Sequence, residues 1–398
     1  MTASKCTVLQ VGKFYPPHMG GMETHLEDLS RGLAPNFDIR ILVSSGSWSR
    51  QEEQIDGIAV SRLRTPLTLF STPICPSMLS EIRAANPDIL HIHLPNPAAV
   101  AAYLASGYRG RVIFTYHSDT VRQRVLGTLV EPMLHVALRR SSAVIATSSE
   151  YVRTSPILSH YRDRCHIIPL GIRVEDYTCC DPELAAEVRR QYGERLIISV
   201  GRLVYYKGFE YLIRAMPRVA GTALIIGEGP LRPALSRLAS ELGVANRVHF
   251  LGRVDQERLI SSYHAARVFV LPSIARSEAF GLVQVEAMAA GLPVINTQLD
   301  SGVPSVSLHD QTGLTVPPAD PEALAIAINR LLDDEALGQK LGAAGQLRAC
   351  QEFSLQTMVS RTRELYRRVM ELPPGAPVCE LNPEHSPSQT ESARFQRA

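Results

Sequence analysis

The chain has 398 residues, of which 45% are hydrophobic and 20% are charged, and its formal net charge at pH 7 is +2. This length suffices for two α/β domains with separate cores, and the near-neutral charge excludes a strongly basic nucleic-acid-binding protein. Seven cysteines are scattered without a Cys-x-x-Cys pair, which favours reduced thiols. No leader-type apolar segment and no run of about 18 apolar residues occurs, so we expect a cytoplasmic protein, soluble or peripherally bound to the inner face of the cytoplasmic membrane.

The first half of the chain alternates short apolar runs with helical segments. Leucines at helical spacing predict a helix from about Met22 to Ala34. The apolar runs predict strands at Thr7–Val11, Ile39–Val43, Ile89–Leu94, Val112–Tyr116 and Ala143–Ala146. This alternation is typical of a doubly wound parallel sheet. The segment Thr65–Pro76 holds three prolines, and we expect a loop there.

Glycines and polar side chains follow two of these strands. Gly20 and Gly21 lie at the turn into the first helix, where glycine lets a ligand approach the backbone and a helix N-terminus favours an anion. A bare pair of glycines is weak support, since most turn glycines serve only the turn. His117 and Asp119 follow the strand that ends at Tyr116, at the edge where open α/β sheets bind ligands. The alternative for a single histidine at a strand end is a structural role.

Two further histidines, His91 and His93, alternate on a predicted strand. Alone they would suggest a metal site, but the sequence offers no evident third ligand, and packing in the core is the interpretation that we favour. The chain also contains no Asp-x-Asp pair and no cysteine/histidine cluster at zinc spacing. We therefore expect no metal and no other cofactor.

The segment from Arg122 to Arg140 is strongly apolar, with arginines at both ends. One interpretation is a helix of the domain with charged ends. The other is a basic, apolar element that contacts anionic lipid or a polyprenyl-diphosphate acceptor at the membrane surface. The sequence favours the first interpretation without excluding the second.

The second half repeats the alternation of strands and helices. Apolar runs predict strands at Leu196–Val200, Ala223–Gly227, Val248–Gly252, Val268–Pro272 and Pro293–Thr297. The polar segment Arg173–Gly193 is interpreted as an interdomain linker, and Phe353–Met370 as an amphipathic last helix. Residues Glu371–Ala398 are rich in Pro, Ser and Glu, and we expect them to be disordered.

Between the last two of these strands lies Arg276–Gly291, with the sequence RSEAFGLVQVEAMAAG. A helix that begins near Gly281 directs unpaired N–H groups and the positive end of its dipole towards the strand ends, which suits a phosphate. Glu278 lies on the loop beside it and Glu286 lies within the helix, so both carboxylates can border one crevice. The alternative is that both are solvated surface charges, but a glutamate without a function is uncommon in an otherwise apolar helix.

Three segments closely resemble the retaining glycosyltransferase family 4, which has the GT-B fold. They are the Glu278-to-Glu286 segment with EAMAAGLPVI, the string Phe14-x-Pro16-x-x-x-Gly20-Gly21-x-Glu23, and Gly201-Arg202-Leu203 with Lys207-Gly208. The resemblance covers about residues 6–370 and implies an α/β protein of two Rossmann-like domains that face each other across a cleft. We assign residues 1–175 to an acceptor-side domain, which helix 353–370 packs against, and residues 176–352 to a nucleotide-sugar-binding domain. Residues 371–398 form the tail.

The resemblance also implies roles for single residues. Arg202 and Lys207 would stabilise the departing diphosphate, together with Gly201 and the helix start at Phe280–Leu282 (Phe280, Gly281, Leu282). Glu278 would hold hydroxyls of the transferred sugar, Glu286 the ribose, and His117 the sugar from the opposite wall. Gly20 and Gly21 would contact the donor diphosphate and the acceptor. Arg253 follows the strand that lines the base pocket, and Glu23 and Asp119 would lie on the acceptor side.

The sequence departs from the commoner family pattern at Ser305, where a glutamate usually follows the Gly-x-Pro step. This variant, together with Tyr116-His117-Ser118-Asp119, resembles bacterial mannosyl- and rhamnosyltransferases that build surface polysaccharides. The implied substrates are a GDP-mannose or GDP-rhamnose donor and a glycan or polyprenyl-diphosphate-linked acceptor, with no nucleic acid. The alternatives are a UDP-sugar-dependent transferase, a sugar-nucleotide epimerase, and a non-catalytic partner subunit that binds a nucleotide-sugar.

Overall fold

The computed structural model describes residues 5–18, 20–69, 72–119 and 124–378, with no side chains described for residues 124–129. The first half forms a sheet of order β10-β9-β8-β7-β1-β2-β4-β3, parallel except at the β3 edge. Its strands are β1 (Thr7–Val11), β2 (Asp38–Ser44), β3 (Gln51–Ile55), β4 (Ile58–Leu63), β7 (Ile89–Leu94), β8 (Arg111–Tyr116), β9 (Ala143–Ala146) and β10 (Cys165–Ile167), and the pair β5 (Leu67–Leu69) and β6 (Thr72–Ile74) lies apart from it. Its helices are α1 (Gly21–Leu33), α2 (Met78–Ala85), α3 (Pro97–Ser106), α4 (Arg124–Arg139) and α5 (Ser149–Thr154).

The second half forms a parallel sheet of order β13-β12-β11-β14-β15-β16. Its strands are β11 (Leu196–Val200), β12 (Thr222–Ile226), β13 (Val248–Gly252), β14 (Val268–Val270), β15 (Val294–Thr297) and β16 (Gly313–Val316). The helices of this half are α6 (Pro182–Tyr192), α7 (Phe209–Ala215), α8 (Arg232–Glu241), α9 (Gln256–Ala265), α10 (Leu282–Ala289), α11 (Val303–Val306), α12 (Pro321–Asp333), α13 (Glu335–Glu352) and α14 (Leu355–Glu371). The inner strands of both sheets are almost wholly buried, as apolar runs without polar alternation predict for parallel strands covered on both faces, whereas the edge strands β3 and β13 are partly exposed.

Each sheet reverses its direction of growth at its first strand. β1 pairs with β2 on one side and with β7 on the other, and β11 pairs with β12 and β14 in the same way. A crevice opens at the carboxyl end of the strand where such a reversal occurs, and ligands of open α/β sheets bind there. The topology therefore places one crevice after β1 and another after β11.

The last helix, α14, returns from the second half of the chain to the first. It packs against α1, and its buried Tyr366 lies edge-on to Phe37, with 5.3 Å between the ring centroids. Arg111, at the start of β8, donates hydrogen bonds to the carbonyl oxygens of Val369 (2.9 Å) and Leu372 (2.8 Å). The end of α14 is thus fixed to the first sheet by both apolar packing and hydrogen bonds.

Three expectations from the sequence differ from the structure. The predicted loop Thr65–Pro76 contains the antiparallel pair β5 and β6, with Pro73 inside β6, because a strand at the edge of a sheet tolerates a proline. The predicted linker Arg173–Gly193 contains α6, whose Val188 is fully buried. The apolar stripe of this polar helix is narrow, so the composition of the segment did not indicate a helix. In the predicted tail, Val378 is buried and its N–H donates to the Ser142 carbonyl at 2.8 Å, whereas residues 379–398 lie outside the described part.

The structure contains no helix, among the residues it describes, with the length and apolar character needed to span a bilayer.

Candidate active site

The carboxyl edges of the two sheets face each other. Arg276, on the loop after β14, forms an ion pair with Asp119 after β8, with Nη2 to Oδ2 at 2.8 Å. It also donates to the Thr154 carbonyl at 2.7 Å, and Thr154 in turn donates to the Asp300 carbonyl at 3.1 Å. These contacts hold the loops of both sheets together at one side of the cleft, between the crevices after β1 and β11.

A buried ion pair lies at the end of β11. Lys207, at the end of the one-turn segment Tyr205–Lys207, places Nζ 2.6 Å from Oε2 of Glu278, and both residues are buried. Ser273 donates to the same carboxylate oxygen at 3.1 Å. Gly201 has a φ of 152° and lies against Lys207, since a Cβ there would be 3.3 Å from Lys207 Cε. Three of the residues singled out in the sequence, Gly201, Lys207 and Glu278, therefore adjoin one another.

Helix α10 begins directly beside this ion pair. Gly281 precedes it with a φ of 75°, and no side chain caps the helix. Phe280 is buried and Leu282 is the first helical residue. A left-handed glycine at this position suits the backbone of the turn, and uncapped N–H groups with the positive end of the helix dipole can accept an anion.

Glu286 lies one turn into α10 and is partly buried. Its carboxylate accepts a hydrogen bond from the Tyr263 hydroxyl at 2.9 Å. Burial raises the pKa of Glu286, while this hydrogen bond and the charge of Lys207 act in the opposite direction. Lys207 is thus electrostatically coupled to Glu286 as well as ion-paired with Glu278.

Two arginines follow strands of the second sheet, as the sequence predicts. Arg202 follows β11 and Arg253 follows β13, and both side chains are exposed. They add positive charge at the rim of the crevice, whereas the buried Lys207 supplies positive charge deeper within it.

On the opposite side of the cleft, Gly20 ends the turn after β1, and Gly21 and Glu23 lie in the first turn of α1. A Cβ on Gly20 would overlap the carboxylate of Glu23, whereas a Cβ on Gly21 would meet nothing within 4 Å. Glu23 is buried with its carboxylate folded back over Gly20. The two glycines therefore differ. At Gly20 the Glu23 side chain occupies the space that a Cβ would take, whereas the space beside Gly21 is open.

Asp119 has an environment that differs from the expected contact with an acceptor. Besides Arg276, its carboxylate accepts hydrogen bonds from the hydroxyls of Tyr116 (2.8 Å), Ser155 (2.9 Å) and Tyr151 (3.1 Å). Both carboxylate oxygens already have partners within the protein, so the geometry favours a role in joining the two halves.

Four buried histidines adjoin the cleft on the side of the first sheet. His117 Nε2 lies 3.2 Å from His93 Nδ1, His91 stacks on His93 with centroids 4.5 Å apart, and His25 of α1 lies edge-on to His117 at 4.8 Å. Burial lowers the pKa of His25 to about 4 and that of His91 to about 3, and it lowers the pKa values of His93 and His117 well below the usual range. The rings are therefore neutral at physiological pH.

The sequence shows no third ligand beside His91 and His93, but the structure brings His93 together with two other histidines. Ring nitrogens of His25, His93 and His117 all lie within 4.8 Å of one another. This group is not evident in the sequence because its members lie on α1, on β7 and directly after β8. One signal was present, since His25 shares the helix face of Leu29 and is buried beside it.

Sequence reasoning missed four other residues at the site. Arg276 and Tyr263 contact the predicted site residues Asp119 and Glu286, and Gln10 and Tyr366 hydrogen-bond to the histidines His93 and His91. Gln10 offered a usable signal, since it is the one polar residue in the apolar run Thr7–Val11 after Thr7 itself.

The basic segment Arg122–Arg140 contains α4, and only its second half has described side chains. Ala137 and Leu138 are fully buried in the core of the first sheet, whereas Val136 and Arg139 are exposed. This end of the segment is a domain helix with a solvent-facing side. Arg122 lies outside the described residues, and so does the side chain of Arg124.

Family models match both halves of the chain. The model described as Glycosyltransferase Family 4 matches residues 19–176, and the model described as Glycosyl transferases group 1 matches residues 181–348.

Several characterised proteins are similar over most of their length. D-rhamnosyltransferase WbpZ of Pseudomonas aeruginosa is 33% identical over 83% of this chain and 91% of its own. The O-antigen chain mannosyltransferase C of Escherichia coli is 29% identical over 92% and 99%. A GDP-mannose-dependent alpha-(1-6)-phosphatidylinositol monomannoside mannosyltransferase of Mycolicibacterium smegmatis is 30% identical over 90% and 97%.

A solved structure of sucrose-phosphate synthase from Thermosynechococcus elongatus superimposes with a TM-score of 0.79 at 24% identity, over 92% of this chain and all of that one. This likeness shows the GT-B fold. With the two family models and the relatives, it establishes the class: the protein is a nucleotide-sugar-type hexosyltransferase. The chain belongs to glycosyltransferase family 4, as the sequence motifs predicted, and the retaining mechanism expected for it fits this family.

Proposed function

We propose that the protein transfers mannose or rhamnose from a GDP-sugar, with retention at the anomeric carbon, to a glycan or polyprenyl-diphosphate-linked saccharide in surface-polysaccharide biosynthesis. The observation that carries the proposal is the grouping of Lys207, Glu278 and Glu286 at the start of α10, across the cleft from His117. The donor would bind to residues 176–352 and the acceptor mainly to residues 1–175.

The choice of donor follows from the relatives. One relative is named as GDP-mannose-dependent, another as an O-antigen mannosyltransferase and a third as a D-rhamnosyltransferase. Among these relatives mannose and rhamnose are the transferred sugars, and both fit a pocket that offers carboxylates to sugar hydroxyls.

The donor pyrophosphate would bind at the end of β11 and the start of α10. Arg202 and Lys207 supply positive charge, and the first-turn N–H groups of α10 supply donors without a competing side-chain cap. The sugar would lie over Glu278, and the ribose hydroxyls would donate to Glu286. When the diphosphate binds, Lys207 would divide its charge between the phosphate and Glu278, its partner in the free protein.

In the proposed reaction an acceptor hydroxyl oxygen forms a bond to the anomeric carbon on the face from which the diphosphate leaves. The bond between the anomeric carbon and the phosphate oxygen breaks, and its electron pair stays on that oxygen. The departing phosphate takes the proton of the acceptor hydroxyl. Arg202, Lys207 and the α10 N-terminus stabilise the charge that develops on the leaving group, and closure of the two halves excludes water.

This arrangement needs no divalent cation on the diphosphate, because the positive charge comes from the protein. Transfer should therefore continue in excess EDTA at an unchanged rate. A rate that falls with EDTA and returns with Mg²⁺ or Mn²⁺ would refute this part of the proposal.

An apolar pocket beside Asp119 supports an acceptor that carries a nonpolar group. Its walls are formed by Leu94, Pro95, Val100, Tyr116, Leu134 and Ile157. Because Glu131 and Leu134 of α4 line it, this pocket adjoins one face of the basic segment. A peripheral contact of that face with anionic membrane fits a lipid-linked acceptor.

The test is a thermal-shift screen with GDP, GDP-mannose, UDP and UDP-glucose, followed by transfer assays with the stabilising donor. A ligand that binds only the folded protein raises the melting temperature with its affinity. Stabilisation by GDP and GDP-mannose with transfer to a lipid-linked saccharide is the expected result. Stabilisation by the UDP set would overturn the donor, and no transfer with any stabilising donor would overturn the enzymatic function.

A further inference from the structure

We propose that Tyr366 of α14 fixes the tautomer of His117 through Gln10 and His93, so that His117 carries its proton on Nε2 and offers Nδ1 as a hydrogen-bond acceptor. Tyr366 would be a positioning residue that never contacts the substrate. The inference rests on the proposed function only where it concerns the sugar: a sugar hydroxyl would have to donate to His117.

The hydrogen-bond chain begins between α14 and β7. The Tyr366 hydroxyl lies 2.5 Å from His91 Nδ1, a distance typical of a hydroxyl donor and short for an N–H donor. His91 Nε2 lies 2.7 Å from the Thr115 hydroxyl. With its single proton directed to His91, the Tyr366 oxygen is left as an acceptor.

That acceptor sets the orientation of Gln10. The Gln10 amide nitrogen lies 3.4 Å from the Tyr366 oxygen, and the amide oxygen lies 2.7 Å from His93 Nε2. A carbonyl oxygen can only accept, so His93 Nε2 must carry the proton. If the amide were reversed, its NH₂ group would face His93, and Tyr366 would need a second proton.

The protonation of His93 in turn determines the protonation of His117. A neutral imidazole has one protonated nitrogen, so His93 Nδ1 holds a lone pair. The contact of 3.2 Å between His93 Nδ1 and His117 Nε2 is a hydrogen bond only if His117 donates. His117 is also neutral, since burial keeps its pKa well below the usual value. Its Nδ1 is therefore the unprotonated nitrogen.

The hydrogen bond between His93 and His117 excludes a second use of the same atoms. A metal ion held by His25, His93 and His117 through His93 Nδ1 and His117 Nε2 would need lone pairs on both of these nitrogens. The chain from Tyr366 places a proton there instead. The two arrangements therefore give opposite protonation at His117.

The experiment measures the tautomers directly by ¹⁵N–¹H correlation spectra of the histidine rings in the full chain, for wild type, Tyr366→Phe and Tyr103→Phe. Tyr103 is a buried tyrosine of α3 in the same half, outside the chain of hydrogen bonds, and serves as the matched control. In wild type and in the control, we expect His117 to be protonated at Nε2 alone. In Tyr366→Phe we expect mixed tautomers at His93 and His117.

Kinetics provide the second measurement. Loss of one correctly directed neutral hydrogen bond should lower kcat/KM for the sugar donor about tenfold in Tyr366→Phe. Affinity for free GDP should stay unchanged, since GDP lacks the transferred hexose that would contact His117. A fall in GDP affinity of the same size would indicate a general distortion and would count against the proposal.

Three results would overturn the inference: protonation of wild-type His117 at Nδ1, unchanged His117 tautomers in Tyr366→Phe, or stoichiometric binding of Zn²⁺ by the chelator-treated protein with loss of the His117 Nε2 proton. If Tyr366→Phe does not fold, Gln10→Met is the second variant. It removes the Gln10 amide oxygen that faces His93 Nε2 and should give the same mixture of tautomers at His93. The tautomer spectra need no donor sugar. Failure of the GDP-sugar assay with the expected tautomers would therefore refute the proposed function alone.

Discussion

At the residue scale, Lys207 connects the two carboxylates of the donor side. It forms an ion pair with Glu278 at 2.6 Å and is electrostatically coupled to Glu286. Removing one member of a buried ion pair leaves the other charged and unpaired, at a cost of about 3–5 kcal/mol. Arg202 is exposed, so its loss leaves no buried charge behind. The two cations proposed for the leaving group thus differ in what they contribute to stability.

Lys207→Ala and Arg202→Ala should both reduce transfer at least about a hundredfold, because each removes stabilisation of the departing diphosphate. Only Lys207→Ala should also lower the melting temperature of the free protein. Steady-state rates and thermal melts of the two variants test this. Full activity in both would remove the leaving-group role, and equal melting temperatures would show that the ion pair with Glu278 adds nothing to stability.

Glu286 gives a prediction with a defined pH dependence. Its raised pKa means that ionisation is less favourable in the folded than in the unfolded chain, so the wild type loses stability as pH rises through that pKa. Glu286→Gln should therefore melt higher than wild type at pH 8, with a smaller difference at pH 5. The same variant should be stabilised less by the nucleotide. A melting difference that is independent of pH, or undiminished stabilisation by GDP, contradicts this account of Glu286.

At the element scale, the start of α10 depends on one backbone conformation. Gly281 has a φ of 75°, and a Cβ there would lie 2.7 Å from Leu271 Cδ2. Gly291, at the other end of the same helix, has a φ of 77° with its nearest neighbour at 3.9 Å. Both glycines tolerate the left-handed region, but only the first is also enclosed by a side chain.

Gly281→Ala should destabilise the protein by more than the about 1–2 kcal/mol that a left-handed alanine costs, whereas Gly291→Ala should stay near that value. Urea unfolding of both variants measures the difference. Binding of GDP should weaken only in Gly281→Ala, because the turn that presents the α10 N–H groups must shift. Equal unfolding free energies would show that Leu271 moves aside freely.

The elements also show what the sequence could and could not predict. β7 was predicted to the residue because Ile89–Leu94 has four apolar members and is bounded by Asp88 and Pro95. Lys207 and Glu278 could be singled out because each lies in a segment after a predicted strand that resembles a motif of the family. The groupings around them could not be predicted, since the partners of Glu286 and His117 lie on other elements. The proline-rich pair β5 and β6 and the polar helix α6 were missed because tertiary pairing outweighed local composition.

At the scale of the whole molecule, four neutral histidines are buried beside the first sheet. They make the protein sensitive to acid, because the unfolded chain binds protons near pH 6.5 whereas folded His25 does so only near pH 4. Stability contributed by a lowered histidine pKa is complete above pH 6.5 and is lost as pH falls towards the folded pKa. The loss is about 1.4 kcal/mol per pH unit for each such histidine.

Urea unfolding between pH 7 and pH 4.5 should show this loss of unfolding free energy. His25→Leu should reduce the slope of unfolding free energy against pH by about the contribution of one histidine. Neither ring nitrogen of His25 has a hydrogen-bond partner within the described part of the chain, so leucine removes no bond. His18→Gln, at an exposed position, is the control and should leave the slope in place. An identical slope in His25→Leu would show that His25 is protonated in the folded protein.

The return of α14 has a consequence for how the protein is made. The core of the first sheet includes Leu365, Tyr366 and Val369, together with Val378, so the domain translated first cannot be completed until the end of the chain has left the ribosome. The second sheet receives all of its strands earlier, between residues 196 and 316. We therefore expect the half with the second sheet, which is translated later, to reach its final packing first. The half with the first sheet should stay partly open until α14 packs against it.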